Sequence, residues 1–298
     1  MGGGHAHYVI VDGKELGVWW RRRGAHTLFH DVMWGPDRTI DFIRSQSGGT
    51  SASWMNSVWW EGVALLDLRR RRMLVHSGQD VAGPQRDTSV LEIRAWLRVA
   101  HALWPRWTVT WAARELFEVM DYLGLPYDTV LYLDEPPRPQ RVQWALPPAE
   151  DDDLSCVALT LVAVRDASGR LSFSGLWCDG MEGPLLAGPE IMLVPQEESV
   201  PFAALESVPR NGVYIDATTR RLDWWSLDAP HDPRTAARTW TGWTLIDHGD
   251  AFEEVIDLIG PEILLQPPSG ERRIARWFDE DTRDPADRRA LRKALITP

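Results

Sequence analysis

The chain has 298 residues, 44% hydrophobic and 25% charged, enough for one large or two ordinary soluble domains. Its formal net charge of −11 is unevenly placed. Residues 1–150 hold 17 Arg/Lys and 17 Asp/Glu, whereas residues 151–298 hold 15 and 26, a balance that argues against phosphate backbones and for a basic protein partner.

Tryptophan is the outlier, with 17 copies against 7 Phe and 5 Tyr. Its ring buries a large area and its N–H wants an acceptor, so it favours core edges and contact surfaces. Cys156 and Cys178 lack metal-ligand spacing and read as two buried thiols of a reducing compartment. The N-terminus has no secretory pattern, and no apolar run is long enough to span a bilayer. These features predict a cytoplasmic protein that binds neither membrane nor nucleic acid.

Alternation at 8–11 and 16–20 around Asp12-Gly13 predicts a hairpin, the Asp-Gly pair supplying the positive φ of a tight turn. His5 and His7 lie two apart and would share one strand face, as a metal pair would. His26 and His30 are four apart, but "GAHTLFHDVMWGP" has little helical character, and no further ligand stands at fixed spacing apart from Asp31. The histidines therefore read as edge and loop residues, with no metal and no other cofactor. "SGGTSAS" (47–53) reads as a flexible loop.

A second hairpin is predicted at 62–68 and 72–76, turning through Arg69–Arg72. Such a basic run can grip an anion, but near a turn it reads first as a solvated strand end. A helix follows from about 89 to 103 with Ser89 and Glu92 as its capping box, then a strand at 107–111 and a second helix that ends at Gly124 before Pro126.

The stretch "LDEPPRPQRVQWALPPAEDDD" (133–153) reads as a semi-rigid linker, and then the pattern starts again. "VAVRDASGRLSFSGLW" (162–177) repeats the first hairpin with a longer turn around Gly169. "GVYIDATTRRL" (212–222) opens a counterpart of the second. "WPRWTVTWAARELFEVMDYLG" (104–124) aligns without a gap on "WTGWTLIDHGDAFEEVIDLIG" (240–260), where Asp250 and Glu253 suggest a capping box and Pro261 follows Gly260. The helix at 89–103 has no counterpart in this reading. A final helix is capped by Asp284 with Pro285 at its first position and Asp287 near its start.

The expected architecture is thus α+β: a tandem duplication of two antiparallel-sheet units with helices packed on one face, plus a C-terminal helix. Its divisions are a first repeat at 1–132, the linker at 133–153, a second repeat at 154–265 and a helical tail at 266–298.

No established catalytic fingerprint runs through the chain. There is no G-x-S-x-G, no phosphate-cradling glycine loop and no Cys-His motif. His76, Ser77 and Asp80 share one loop, so His76 and Asp80 mark an alternative enzymatic site between the repeats, but no nucleophile elbow surrounds them. The matched pairs Trp104/Trp107 and Trp240/Trp243 read as core closures. Trp19-Trp20, Trp59-Trp60 and Trp224-Trp225 are adjacent on strands, so one ring of each pair should face outward.

The function expected from these features is a protein-binding module. The composition fits an immunity- or antitoxin-type inhibitor that covers a basic, toxin-like partner. The contact site would be Trp224 or Trp225 rimmed by Asp223, Asp228 and Asp232. The alternatives are an enzyme and a structural subunit of a larger assembly.

Overall fold

The computed structural model describes residues 4–78, 90–131, 143–144, 159–177, 181–193, 208–229, 233–260, 270–282 and 284–296. Most of the linker, both cysteines, Ser89, Asp80 and Asp232 fall outside them. The chain forms two compact units. The first comprises residues 1–137 together with 269–298, and the second comprises 138–268.

The first unit opens with the expected hairpin, β1 (His5–Asp12) and β2 (Glu15–Arg21). A 3-10 turn (Gly24–Thr27), α1 (Leu28–Val32) and α2 (Pro36–Arg44) follow. The stretch around His26 and His30 is therefore helical, contrary to the loop expected. It lacks a side-chain cap, and Asp31 fixes it instead by accepting hydrogen bonds from Tyr8 Oη, Arg21 Nη1 and Thr27 Oγ1 at 2.7–2.8 Å. β3 (Ser47–Gly48) pairs with β2, and β4 (Trp60–Asp67) and β5 (Arg72–Ser77) make the second hairpin. α3 (Val90–Leu103), β6 (Thr108–Trp111) and α4 (Glu115–Leu123) complete this part of the unit. Gly124 ends α4 in the left-handed region (φ 66°), the conformation glycine adopts without a Cβ penalty.

The second unit holds β7 (Gln143–Trp144), β8 (Leu159–Arg165), β9 (Leu171–Trp177), α5 (Glu182–Ala187), β10 (Asn211–Asp216), β11 (Arg221–Ser226), α6 (Pro233–Thr239), β12 (Thr244–Asp247) and α7 (Phe252–Ile259). α6 directly precedes Trp240 as α3 directly precedes Trp104, so the helix at 90–103 does have a counterpart, only shorter. α8 (Gly270–Asp281) and α9 (Pro285–Ile296) return to the first unit rather than standing apart as a tail. Arg273 of α8 reaches the buried Glu92 of α3 at 2.8 Å, and Arg38 of α2 makes a two-pronged pair with Asp287 of α9. Asp284 Oδ1 caps α9 through the Ala286 N–H.

The two sheets share the order of five strands and differ in the sixth, an edge strand that follows the first hairpin in one unit (β3) and precedes it in the other (β7). The first runs β3-β2-β1-β4-β5-β6 and the second, read in the same direction, β7-β9-β8-β10-β11-β12. Within each, the hairpins are antiparallel, whereas β1–β4, β5–β6, β8–β10 and β11–β12 are parallel, so both sheets are mixed. A parallel neighbour requires a crossover, and helices supply it.

The crossover helices cover one face of each sheet, and the helix after the last strand, α4 or α7, covers the other. In the first unit, Val9, Val63, Leu65 and Leu74 pack under Leu116, Val119 and Met120 of α4. On the opposite face Ser77 bonds the Ala25 carbonyl, and the Trp96 ring of α3 donates to the Phe29 carbonyl. In the second unit, Val213, Ile215, Leu222 and Trp224 pack with Leu185 of α5, Ala236 of α6 and Trp240. Behind them Trp225 meets Phe252 of α7 at 6.5 Å.

The matched tryptophans close the core in both units. Trp104 Nε1 donates to the Val32 carbonyl at 2.9 Å and Trp240 Nε1 to the Leu185 carbonyl at 3.0 Å. Each stacks edge-on against its neighbour, Trp107 at 4.9 Å and Trp243 at 5.0 Å.

Candidate functional site

The double-sided cover overturns the exposed-anchor expectation. Trp224 is 6% exposed and Trp225 is fully buried, each under a different helix, so neither ring is offered to a partner. Trp225 lies flat over Gly212, where an added Cβ would come within 2.0 Å of the indole. Asp223 is also fully buried, and Asp228 turns to Arg210 at 3.4 Å. Of the three Trp-Trp pairs, Trp59/Trp60 alone shows the outward-and-inward split: Trp59 is 47% exposed and Trp60 is buried with Nε1 toward the Val130 carbonyl.

Asp223 belongs to a polar set under α7. Its two oxygens accept Arg221 Nε and Nη2 at 2.6 and 2.7 Å, and one also meets His248 Nε2 at 2.7 Å. His248 Nδ1 is 2.8 Å from Glu254 Oε2. Burial alone would lower the imidazole pKa. The hydrogen bonds and charges of Asp223 and Glu254 outweigh it and hold the value above the ordinary 6.5. Both ring nitrogens are engaged, so no lone pair is left to take a proton from a nucleophile. This set braces the join of β12 and α7 against β11.

A second polar set lies at the His5 end of the first sheet. Through the pairings His7–Val63 and Val63–His76, His7 and His76 share one row on one face. His7 is fully buried, its Nε2 accepts the Met55 N–H at 2.9 Å, and its Nδ1 meets no hydrogen-bond partner. Burial, with a smaller contribution from His5, lowers its pKa to about 3. The Trp54 ring lies 5.3 Å from His7, and Trp20 and Trp59 flank His5 at 5.9 and 5.8 Å. Among the described residues no three His, Cys, Asp or Glu side chains converge as metal ligands.

Of the alternative enzymatic pair, only His76 lies among the described residues. His76 is 2% exposed and its ring lies tilted against Trp111 at 4.8 Å. Ser77, the next strand residue, points to the opposite face and donates to the Ala25 carbonyl, so the two cannot act as base and nucleophile. Asp80 lies outside the described residues. The Arg69–Arg72 turn is solvated at its tip: Arg69 pairs with Asp12, and Arg70 and Arg72 lie over the Tyr122 ring.

An acidic rim on the second unit was missed in the sequence. Asp247, at the end of edge strand β12, and Asp250, Glu253, Glu254 and Asp257 are all exposed. Glu253 and Asp257 are one turn apart on the outer side of α7, whose inner side buries Phe252, Val255 and Ile259. The gapless repeat places Trp111, Arg114, Phe117, Glu118 and Asp121 at these five positions of the first copy. Glu118 and Asp121 are acidic in both copies, so the difference lies in Asp247, Asp250 and Glu253, which reading the mismatches of that alignment would have revealed. By unit, the first carries 23 Arg and Lys against 22 Asp and Glu, and the second 9 against 21, giving +1 and −12.

Neither a family model, nor a curated protein, nor a solved structure matches the chain. Among the described residues no helix is long and apolar enough to cross a membrane.

Proposed function

We propose that the protein is a binding module of the immunity or antitoxin kind, which covers a basic partner with the second unit. The observation that carries this reading is the exposed carboxylate rim Asp247, Asp250, Glu253, Glu254 and Asp257, of whose matched positions in the other copy only two, Glu118 and Asp121, are acidic. A row of like charges on a surface of net −12 steers a cationic protein toward it and disfavours acidic competitors. This rim takes over the role that the sequence assigned to Asp223, Asp228 and the Trp224-Trp225 pair. Leu258, 40% exposed on the same helix, offers apolar area beside the charges.

The test is affinity capture from cells of the source organism at low and high salt, with the wild-type chain and with a variant carrying Asp250→Asn, Glu253→Gln and Asp257→Asn. The wild type should retain a partner of basic isoelectric point that high salt releases, and the variant should retain far less of it. Equal capture by both proteins, or a partner of acidic charge, would contradict the reading.

A further inference from the structure

We propose that His7 is an acid-sensitive latch for the loop at residues 49–59, which it holds down on the first sheet by accepting the Met55 N–H in the middle of that loop. The loop joins β3 to β4, and its ends are tied by Gly49 N–H to the Val18 carbonyl and by the His5 N–H to the Trp59 carbonyl. Between those ends Met55 N lies 2.9 Å from His7 Nε2, and the Trp54 ring covers the imidazole.

The direction of that bond dictates the chemistry. An amide N–H can only donate, so Nε2 must keep its lone pair and the proton of the neutral ring sits on Nδ1. Protonation of Nε2 would set an N–H against the Met55 N–H and place a cation at a fully buried position. The ring can gain that proton only by losing Met55, so proton uptake and loop release are one event.

No nearby carboxylate compensates the cation. The titratable neighbours on that face are His5 on β1 and His76 on β5, whereas Glu61, at the register shift between β1 and β4, turns to the Gly4 N–H at 3.3 Å. The loop carries no charged residue, and Arg114, Glu115, Glu118 and Asp121 belong to the α4 end of the face. Of these groups His5 is the one that bears on His7, and it opposes protonation. Release would uncover Trp54 and extend the apolar surface already formed by Val58 and Trp59, 48% and 47% exposed.

Hydrogen exchange of the full-length chain across pH, expressed as protection factors, tests the latch. The Met55 amide should lose about tenfold in protection for each pH unit below 6.5, in line with one proton taken up on opening, while the amides of Val9 and Leu65 stay protected. In His7→Gln, whose side-chain carbonyl can accept the same N–H without titrating, Met55 protection should be independent of pH. Should that variant not fold, the nitrogen chemical shifts of His7 in the wild type decide the matter: the proposal requires the Nδ1–H tautomer at neutral pH. An Nε2–H tautomer, equal pH dependence in both proteins, or Met55 exposed only together with Val9 and Leu65 would overturn it.

Discussion

The two units build one order of five strands and then fill it with opposite chemistry on the same face. At the row that carries His7, Val63 and His76 in the first sheet, the second has Leu161, Gly212 and Trp225. One residue pair further along, the second sheet sets Asp223 beneath His248, where the first has the apolar Leu74 and Ala112. Each unit thus buries a histidine under its last helix or its loop, one with its pKa lowered by burial and one with its pKa raised by the two carboxylates that flank it. The framework tolerates either filling because every polar group brought in has its charge managed locally, by neutrality in one unit and by pairing in the other.

The largest effect should come from breaking the pairing. Asp223→Leu, which installs the residue of the first copy, leaves Arg221 and a mostly buried His248 without their shared carboxylate and should cost the second unit about 3 kcal/mol. Adding His248→Ala should recover part of that loss, since Leu and Ala together reproduce the apolar pair of the first sheet. Chemical denaturation of the single and double variants checks this; simple additivity would show that the two residues do not act as one group.

The next effect is a difference in sign with pH. His7 has a folded pKa below its unfolded value, so its contribution is complete above pH 6.5 and drains away as pH falls toward 3, by up to about 1.4 kcal/mol per pH unit. His248 has a folded pKa above 6.5, so its contribution is complete below 6.5 and is lost as pH rises through the raised value. Residue-resolved exchange should therefore show the first sheet weakening in acid and the β11–β12 join weakening as pH rises through the raised pKa of His248. His7→Gln and His248→Gln should each abolish only their own half of the profile.

Gly212→Ala is a smaller perturbation of the same comparison. The position matches Val63, yet here a methyl group would meet the Trp225 ring, and the repacking should cost about 1–3 kcal/mol. Val63→Gly leaves a void between two histidines instead. If Gly212→Ala were neutral in a thermal melt, the flat seating of Trp225 would not be what fills that row.

Much of the repeat was legible in the chain. The alignment of 104–124 with 240–260 correctly paired two core tryptophans, an edge strand and a helix, and Asp12-Gly13 placed the first turn. The parallel joins were not legible, because β1 and β4 pair across a long insertion that no local pattern announces. One signal was present and unread. "GVALLDL" is a continuous apolar run, and Trp224-Trp225 is an adjacent aromatic pair, which is how strands covered on both faces are written. Reading them as half-exposed strands put one indole of each pair in solvent and made Trp224 or Trp225 an anchor. α6 escaped because a seven-residue helix spans barely two turns and shows little periodicity. The acidic half was placed correctly, but its exposed residues depend on which side of α7 faces the sheet, and that followed only from the packing of Phe252, Val255 and Ile259.

The central claim is that the second unit's rim, and not charge in general, selects the partner. Association kinetics with the captured basic protein test it most directly, comparing Asp250→Arg/Glu253→Arg/Asp257→Arg with a control triple of exposed acids in the first unit, Glu15→Arg/Asp37→Arg/Asp41→Arg. The account predicts that the rim variant slows association at least tenfold at low salt and flattens its salt dependence, while the control, with the same change in net charge, does so much less. Equal slowing by the two variants would contradict it.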